Sequence, residues 1–123
     1  MRQIGPDQWS TSQWTCVEFA SLAAKHVRMG SIRDDEARDA IARFDRLLAS
    51  SFKLVMPSAE DFTLARHYLG PFETGLRGGD ALHLAIAVTN GARVVFTLDK
   101  LMLKACRMLQ IEGTAGIDWP GYD

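Results

Sequence analysis

Gly79-Asp80-Ala81-Leu82-His83-Leu84-Ala85-Ile86-Ala87 and, a few residues on, Val94-Val95-Phe96-Thr97-Leu98-Asp99-Lys100 decide how this chain is read. The first stretch puts a carboxylate at the start of an apolar helix. The second puts one at the end of an apolar strand. A buried-type strand running straight into a helix is the unit of an α/β layer structure with mostly parallel strands. In such sheets ligands collect beyond the carboxyl ends of the strands. Two acids on that rim can converge, and convergent carboxylates suit hard divalent cations.

The rest of the chain extends the same alternation. Before the first stretch, residues 70–79 carry Gly70, Pro71, Gly75, Gly78 and Gly79 and read as a loop, long for a simple connector. Ser58 is expected to cap a helix running to about residue 69, with Asp61 at its third position. Residues 52–56 alternate as a strand should, and Pro57 ends it. Ser31 is read as the start of a further helix, with Asp34 as a shortened capping-box acid. Ala37, Ile41, Phe44 and Leu48 form its apolar stripe, and Arg38, Asp39, Arg43 and Arg46 its solvated face. Ser12 caps a helix through Met29 that Gly30 stops. Its stripe is read as Trp14, Val17, Ala20 or Ser21, Ala24 and Val27, with Glu18 beside it. Residues 9–12 are a possible short strand after a ragged lead-in over 1–7. After the first stretch, Asn90-Gly91 is a fitting helix stop, 93–97 a strand, and Asp99 or Lys100 the start of a last helix ending near Leu109. An edge strand is expected near Ile111.

Composition bounds the function. The chain has 123 residues, 47% hydrophobic and 24% charged, which suits one globular domain over 1–123 and excludes disorder. The formal net charge of -1 gives no global attraction to nucleic acid, so any such site needs local Arg and Lys or a bound cation. The longest uninterrupted apolar run, residues 84–88, is far too short to span a bilayer. Cys16 and Cys106 sit among apolar helical residues with no metal-type spacing, so buried, reduced thiols and a cytoplasmic location are expected.

Glu18, Asp80 and Asp99 are the candidate catalytic and metal-ligating residues, each flanked by apolar neighbours. A carboxylate among such neighbours needs a partner, either Mg²⁺ or Mn²⁺ or a basic side chain. Asp80 and Asp99 equally suit ordinary helix caps, and Glu18 suits a pair with Lys25. His26, His67 and His83 lack the spacing of a ligand array and are assigned to no metal. Thr97 is placed to orient a carboxylate or a water, or is simply a β-branched strand residue. Arg77 and Lys100 flank the acids as phosphate ligands or solvated charges.

Three stretches resemble the PIN domain ribonucleases, and within them the VapC-type toxins of bacterial toxin–antitoxin pairs. Residues 12–19, Ser-Gln-Trp-Thr-Cys-Val-Glu-Phe, resemble the family's strand-to-helix passage with its second acid. Residues 76–85, Leu-Arg-Gly-Gly-Asp-Ala-Leu-His-Leu-Ala, resemble the segment with its third acid, and residues 95–101, Val-Phe-Thr-Leu-Asp-Lys-Leu, the strand end with its fourth. The resemblance implies a three-layer α/β/α sandwich with a mostly parallel sheet. It implies Mg²⁺ or Mn²⁺ held by Glu18, Asp80 and Asp99, hydrolysis of RNA phosphodiesters, a homodimer and a cognate antitoxin.

The family's first central strand, with the first acid, has no counterpart here, since Asp7 does not end an apolar strand. The expectation is therefore an N-terminally shortened PIN-like domain, either cut from a longer protein or completed by strand exchange in a dimer. Two rivals to a ribonuclease remain: a catalytically impaired PIN remnant that binds an antitoxin or other partner, and a different α/β fold such as a phosphoryl-transfer or receiver domain.

Overall fold

The computed structural model describes residues 10–97 and 99–115. The expected lead-in, Trp9, Asp7, Leu98 and the tail beyond 115 lie outside the described residues. The chain divides into two compact units that meet in sequence between Met56 and Pro57.

The first unit contains β1 (Ser10–Ser12), α1 (Gln13–Arg28), α2 (Asp34–Ser51) and β2 (Lys53–Val55). β1 and β2 pair in parallel, with Ser10 opposite Lys53, Thr11 opposite Leu54 and Ser12 opposite Val55. Ser12 is buried, and its hydroxyl accepts the Trp14 N–H at 2.9 Å, so the strand turns into helix at this one residue. At the other end of α1 the Gly30 N–H donates to the Val27 carbonyl at 3.0 Å and the Ser31 N–H to the His26 carbonyl at 2.9 Å. Gly30 supplies the left-handed conformation this ending requires, with φ of 77°.

That ending corrects the expected start of α2. Ser31 is used to close α1, so α2 begins at Asp34 with Arg33 as its cap residue. Glu36, not Asp34, reaches back, accepting the Arg33 N–H at 2.8 Å. The acids Asp34, Asp35 and Glu36 crowd the first turn, where the helix dipole favours negative charge. Ala37 and Leu48 are buried as expected, and the outer face carries the exposed pairs Arg38–Asp34 (3.7 Å) and Arg43–Asp39 (2.9 Å).

The stripe of α1 is also corrected. Val17 is 55% exposed, whereas Ala23 is buried. Phe19 stacks on Phe44 of α2, ring centroids 4.1 Å apart. Trp14, Ala20 and Val27 of the expected stripe are half-buried, and the stacked ring brings Phe19, with Cys16, to the same degree of burial, so the inward face is broader than the stripe and leaves out Val17 and Ala24.

The second unit contains α3 (Ala59–Tyr68), a 3-10 turn (Phe72–Thr74), α4 (Gly78–Thr89), β3 (Val95–Phe96), α5 (Lys100–Met108) and β4 (Gly113–Thr114). α3 opens with the expected reciprocal cap. The Ser58 N–H donates to Asp61 Oδ2 at 2.8 Å and the Asp61 N–H to Ser58 Oγ at 3.4 Å. α3 packs against α4, whose Ala81, Leu82, Leu84, Ala85, Ile86 and Ala87 are buried. α4 begins at Gly78, so Gly78 and Gly79 are helical rather than loop. The first amides of a helix have no intrahelical partner, and two glycines there give up no ladder bond.

β3 and β4 pair in parallel, Val95 opposite Gly113 and Phe96 opposite Thr114, with α5 as the crossover. Met102, Leu103, Ala105 and Cys106 form the buried face of α5. β4 lies so close to that face that a Cβ on Gly113 would sit 3.1 Å from both Cβ and Sγ of Cys106. α4 and α5 close with the same pair of backbone bonds as α1, the left-handed residue being Gly91 after α4 and Gln110 (φ 61°) after α5. The fold is α/β and helix-rich, with short parallel strands, as the alternating pattern predicts.

Candidate functional site

Asp99 is the cap residue of α5. Its Oδ1 accepts the Leu101 N–H at 2.9 Å, and its own N–H donates to Thr97 Oγ1 at 3.1 Å. Thr97 therefore orients the backbone of Asp99. The side chain is exposed, and the second carboxylate oxygen lies outside the capping bond.

Asp80 sits in the first turn of α4, three positions after the cap residue Arg77. It is half-buried, and no hydrogen bond or ion pair with another described residue engages its carboxylate. The positive end of the helix dipole favours its charge. Glu18 is half-buried in the second turn of α1. The structure thus places Asp80 and Asp99 in one unit, at the starts of successive helices, and Glu18 in the other. Among the described residues, no group of three or more His, Cys, Asp or Glu that could hold a metal ion forms within either unit. All three acids present oxygen donors, the ligand type that suits Mg²⁺ and Mn²⁺.

Residue-by-residue reading missed several features. Asp61, expected only as a cap, is 1% exposed and also accepts a hydrogen bond from the Thr89 hydroxyl, tying α3 to the far end of α4. Its capping role was visible in sequence; its partner, far along the chain, was not. The indole Nε1 of Trp14, one turn before Glu18, is buried and has no hydrogen-bond partner among the described residues. Phe72, on the 3-10 turn, is 90% exposed. An open groove of about 480 Å³ along α3, lined by Ala59, Glu60, Thr63, Leu64 and His67, includes none of the three acids. Both cysteines are free thiols, Cys106 buried and Cys16 half-buried. Burial pushes the Cys106 thiol up, with Arg107 opposing, and burial together with Cys106 pushes up the Tyr68 hydroxyl.

Residues 1–108 match the PIN domain family. The chain is a PIN domain protein. The match spans both units and includes Glu18, Asp80 and Asp99. PIN domains are generally nucleases that depend on divalent metals and bind RNA. No curated protein and no solved structure matches this PIN domain chain. No helix among its described residues is long and apolar enough to cross a membrane.

Proposed function

We propose that this PIN domain is a single-domain, metal-dependent endoribonuclease of the VapC toxin type, acting in the cytoplasm as a homodimer and restrained by a cognate antitoxin. The observation that carries the reading is Asp80: a half-buried carboxylate without a protein partner among the described residues, inside the family match. A part-buried charge left without a cation is costly unless something else balances it. Mg²⁺ or Mn²⁺ is that partner, held by Asp80 and Asp99, with Glu18 as the third ligand by resemblance. When bound, such an ion lowers the pKa of a coordinated water and offsets charge on the scissile phosphate. This chain's residues hold the acids in place: the first turn of α4 carries Asp80, and Thr97 and Leu101 fix Asp99.

The test is cleavage of single-stranded RNA with and without Mg²⁺ or Mn²⁺. Metal-dependent products that vanish in Asp80→Asn and Asp99→Asn support the reading; absence of products at millimolar metal overturns it. A second reading, a PIN module that binds a partner without catalysis, draws on Asp99, whose carboxylate already serves as a helix cap. Partner binding by a chain that cuts no RNA identifies it.

A further inference from the structure

α5 leads away from Asp99 with two unlike faces. Its inner face is apolar and buried, whereas Lys100, Leu101, Lys104, Arg107 and Met108 are exposed. Lys100, Lys104 and Arg107 follow helical spacing, so they form one cationic stripe about 10 Å long. α5 contains no acid. In a chain of net charge -1, Lys104 and Arg107 on one short helix, with Lys100 beside the cap acid Asp99 at its start, make a local cationic face.

The 3-10 turn that packs against α5 adds a second feature. The turn is held by Thr74, which is buried and whose Oγ1 accepts the Leu76 N–H at 3.2 Å, and by Gly75 in the left-handed conformation. Phe72 projects from this anchored turn with 90% of its surface exposed. Cations that follow a phosphate backbone, together with an exposed ring on which a base stacks, are the recurring chemistry of single-stranded nucleic-acid surfaces.

We infer that the outer face of α5 and the Phe72 turn bind single-stranded RNA, with Lys100, Lys104 and Arg107 on successive phosphates and Phe72 under a base. This inference rests on the nuclease reading above and deepens it, by naming where the strand lies beyond Asp99. The charge favours a polyanion; the aromatic ring favours one that carries bases over an acidic polypeptide.

The test measures binding of a labelled single-stranded RNA to the Asp80→Asn chain across a salt series. The same chain carrying Lys100→Gln, Lys104→Gln and Arg107→Gln is compared, and separately one carrying Phe72→Ala. Glutamine keeps helix propensity, and all four positions are exposed, so circular dichroism checks that the fold is retained. Removing three phosphate contacts lowers the slope of log affinity against log salt by about 2. Phe72→Ala weakens binding about 5- to 150-fold with the slope unchanged. An unchanged slope in the charge variant overturns the inference. So does a Phe72→Ala chain with normal affinity, combined with equally tight, charge-dependent binding of polyglutamate. Cleavage by the unsubstituted chain is scored in parallel. A chain that cuts RNA while its charge variant keeps the full slope refutes this surface and leaves the nuclease standing; a chain that neither cuts nor binds RNA refutes both.

Discussion

Asp61→Ala and Asp61→Asn are expected to differ sharply, although both remove the same charge. The carboxylate of Asp61 is 1% exposed and accepts the Ser58 N–H at 2.8 Å on Oδ2 and the Thr89 hydroxyl on Oδ1. Hydrogen bonds to charged groups are each worth about 1.5–3 kcal/mol. Alanine abolishes both, but the Thr89 hydroxyl has a second acceptor, the Ile86 carbonyl at 3.3 Å, and recovers part of its loss there. The net cost of Asp61→Ala is therefore about 3–4 kcal/mol, a large share of a typical domain's stability. Asparagine keeps the shape. Its carbonyl oxygen accepts the Ser58 N–H, and its amide donates to Thr89 once that hydroxyl turns to Ile86. The cost falls to about 1–2 kcal/mol. At about 4 °C per kcal/mol for a chain of this size, the melting temperature falls by roughly 12–16 °C in the alanine variant and roughly 4–8 °C in the asparagine one. Thr89→Val in both backgrounds completes a double-mutant cycle, with a coupling of about 1–2 kcal/mol expected in the alanine cycle. Equal losses in the two variants, or a loss under about 1 kcal/mol for alanine, would refute the reasoning.

Gln110 occupies the left-handed position after α5 with φ of 61°, so Gln110→Gly should raise stability by about 0.5–1 kcal/mol in a urea titration. Burial raises Cys106 above its ordinary value of 9.0 and Tyr68 above 10.0, so the folded state holds these protons longer than the unfolded one. That stability is fully present below about pH 9 and is lost as pH rises further; melting temperatures from pH 7 to 11 should fall, and Cys106→Ala should flatten part of the fall. Asparagine caps helices about as well as aspartate, so Asp99→Asn should preserve stability while Asp99→Ala costs about 1 kcal/mol. Both should abolish a Mg²⁺- or Mn²⁺-induced rise in melting temperature, which separates the cap from the metal ligand.

Local signals carried most of the fold. Ser12, Ser58 and Asp99 act as caps at the positions their sequence context indicates, and Gly30 and Gly91 stop their helices. Errors arose where two local devices compete for one segment: Ser31 suits a helix start, but the end of α1 uses it first. Gly78 and Gly79 read as loop because glycine is poor in a helix interior, a penalty that matters less in a first turn. The inward placing of Phe19 depends on a ring in another helix, and the burial of Asp61 on a hydroxyl 28 residues away, neither of which periodicity encodes. Among the candidate acids, Asp99 was legible down to its cap, because its partners are its neighbours. Asp80 was legible as a helix-start acid but displaced by two positions, and Phe72 left no mark beyond lying in a glycine-rich loop.

The bonds at Asp99 have a bearing on mutational robustness. Its carboxylate and its amide are fixed by Leu101 and Thr97, each two residues away, so its orientation is written into a few consecutive residues rather than into the packing of the unit. Substitutions elsewhere in the core reduce how much of the chain is folded before they move this group. Such a segment can pass between divergent sequences as a short cassette, retaining its acid while the surrounding core is rewritten.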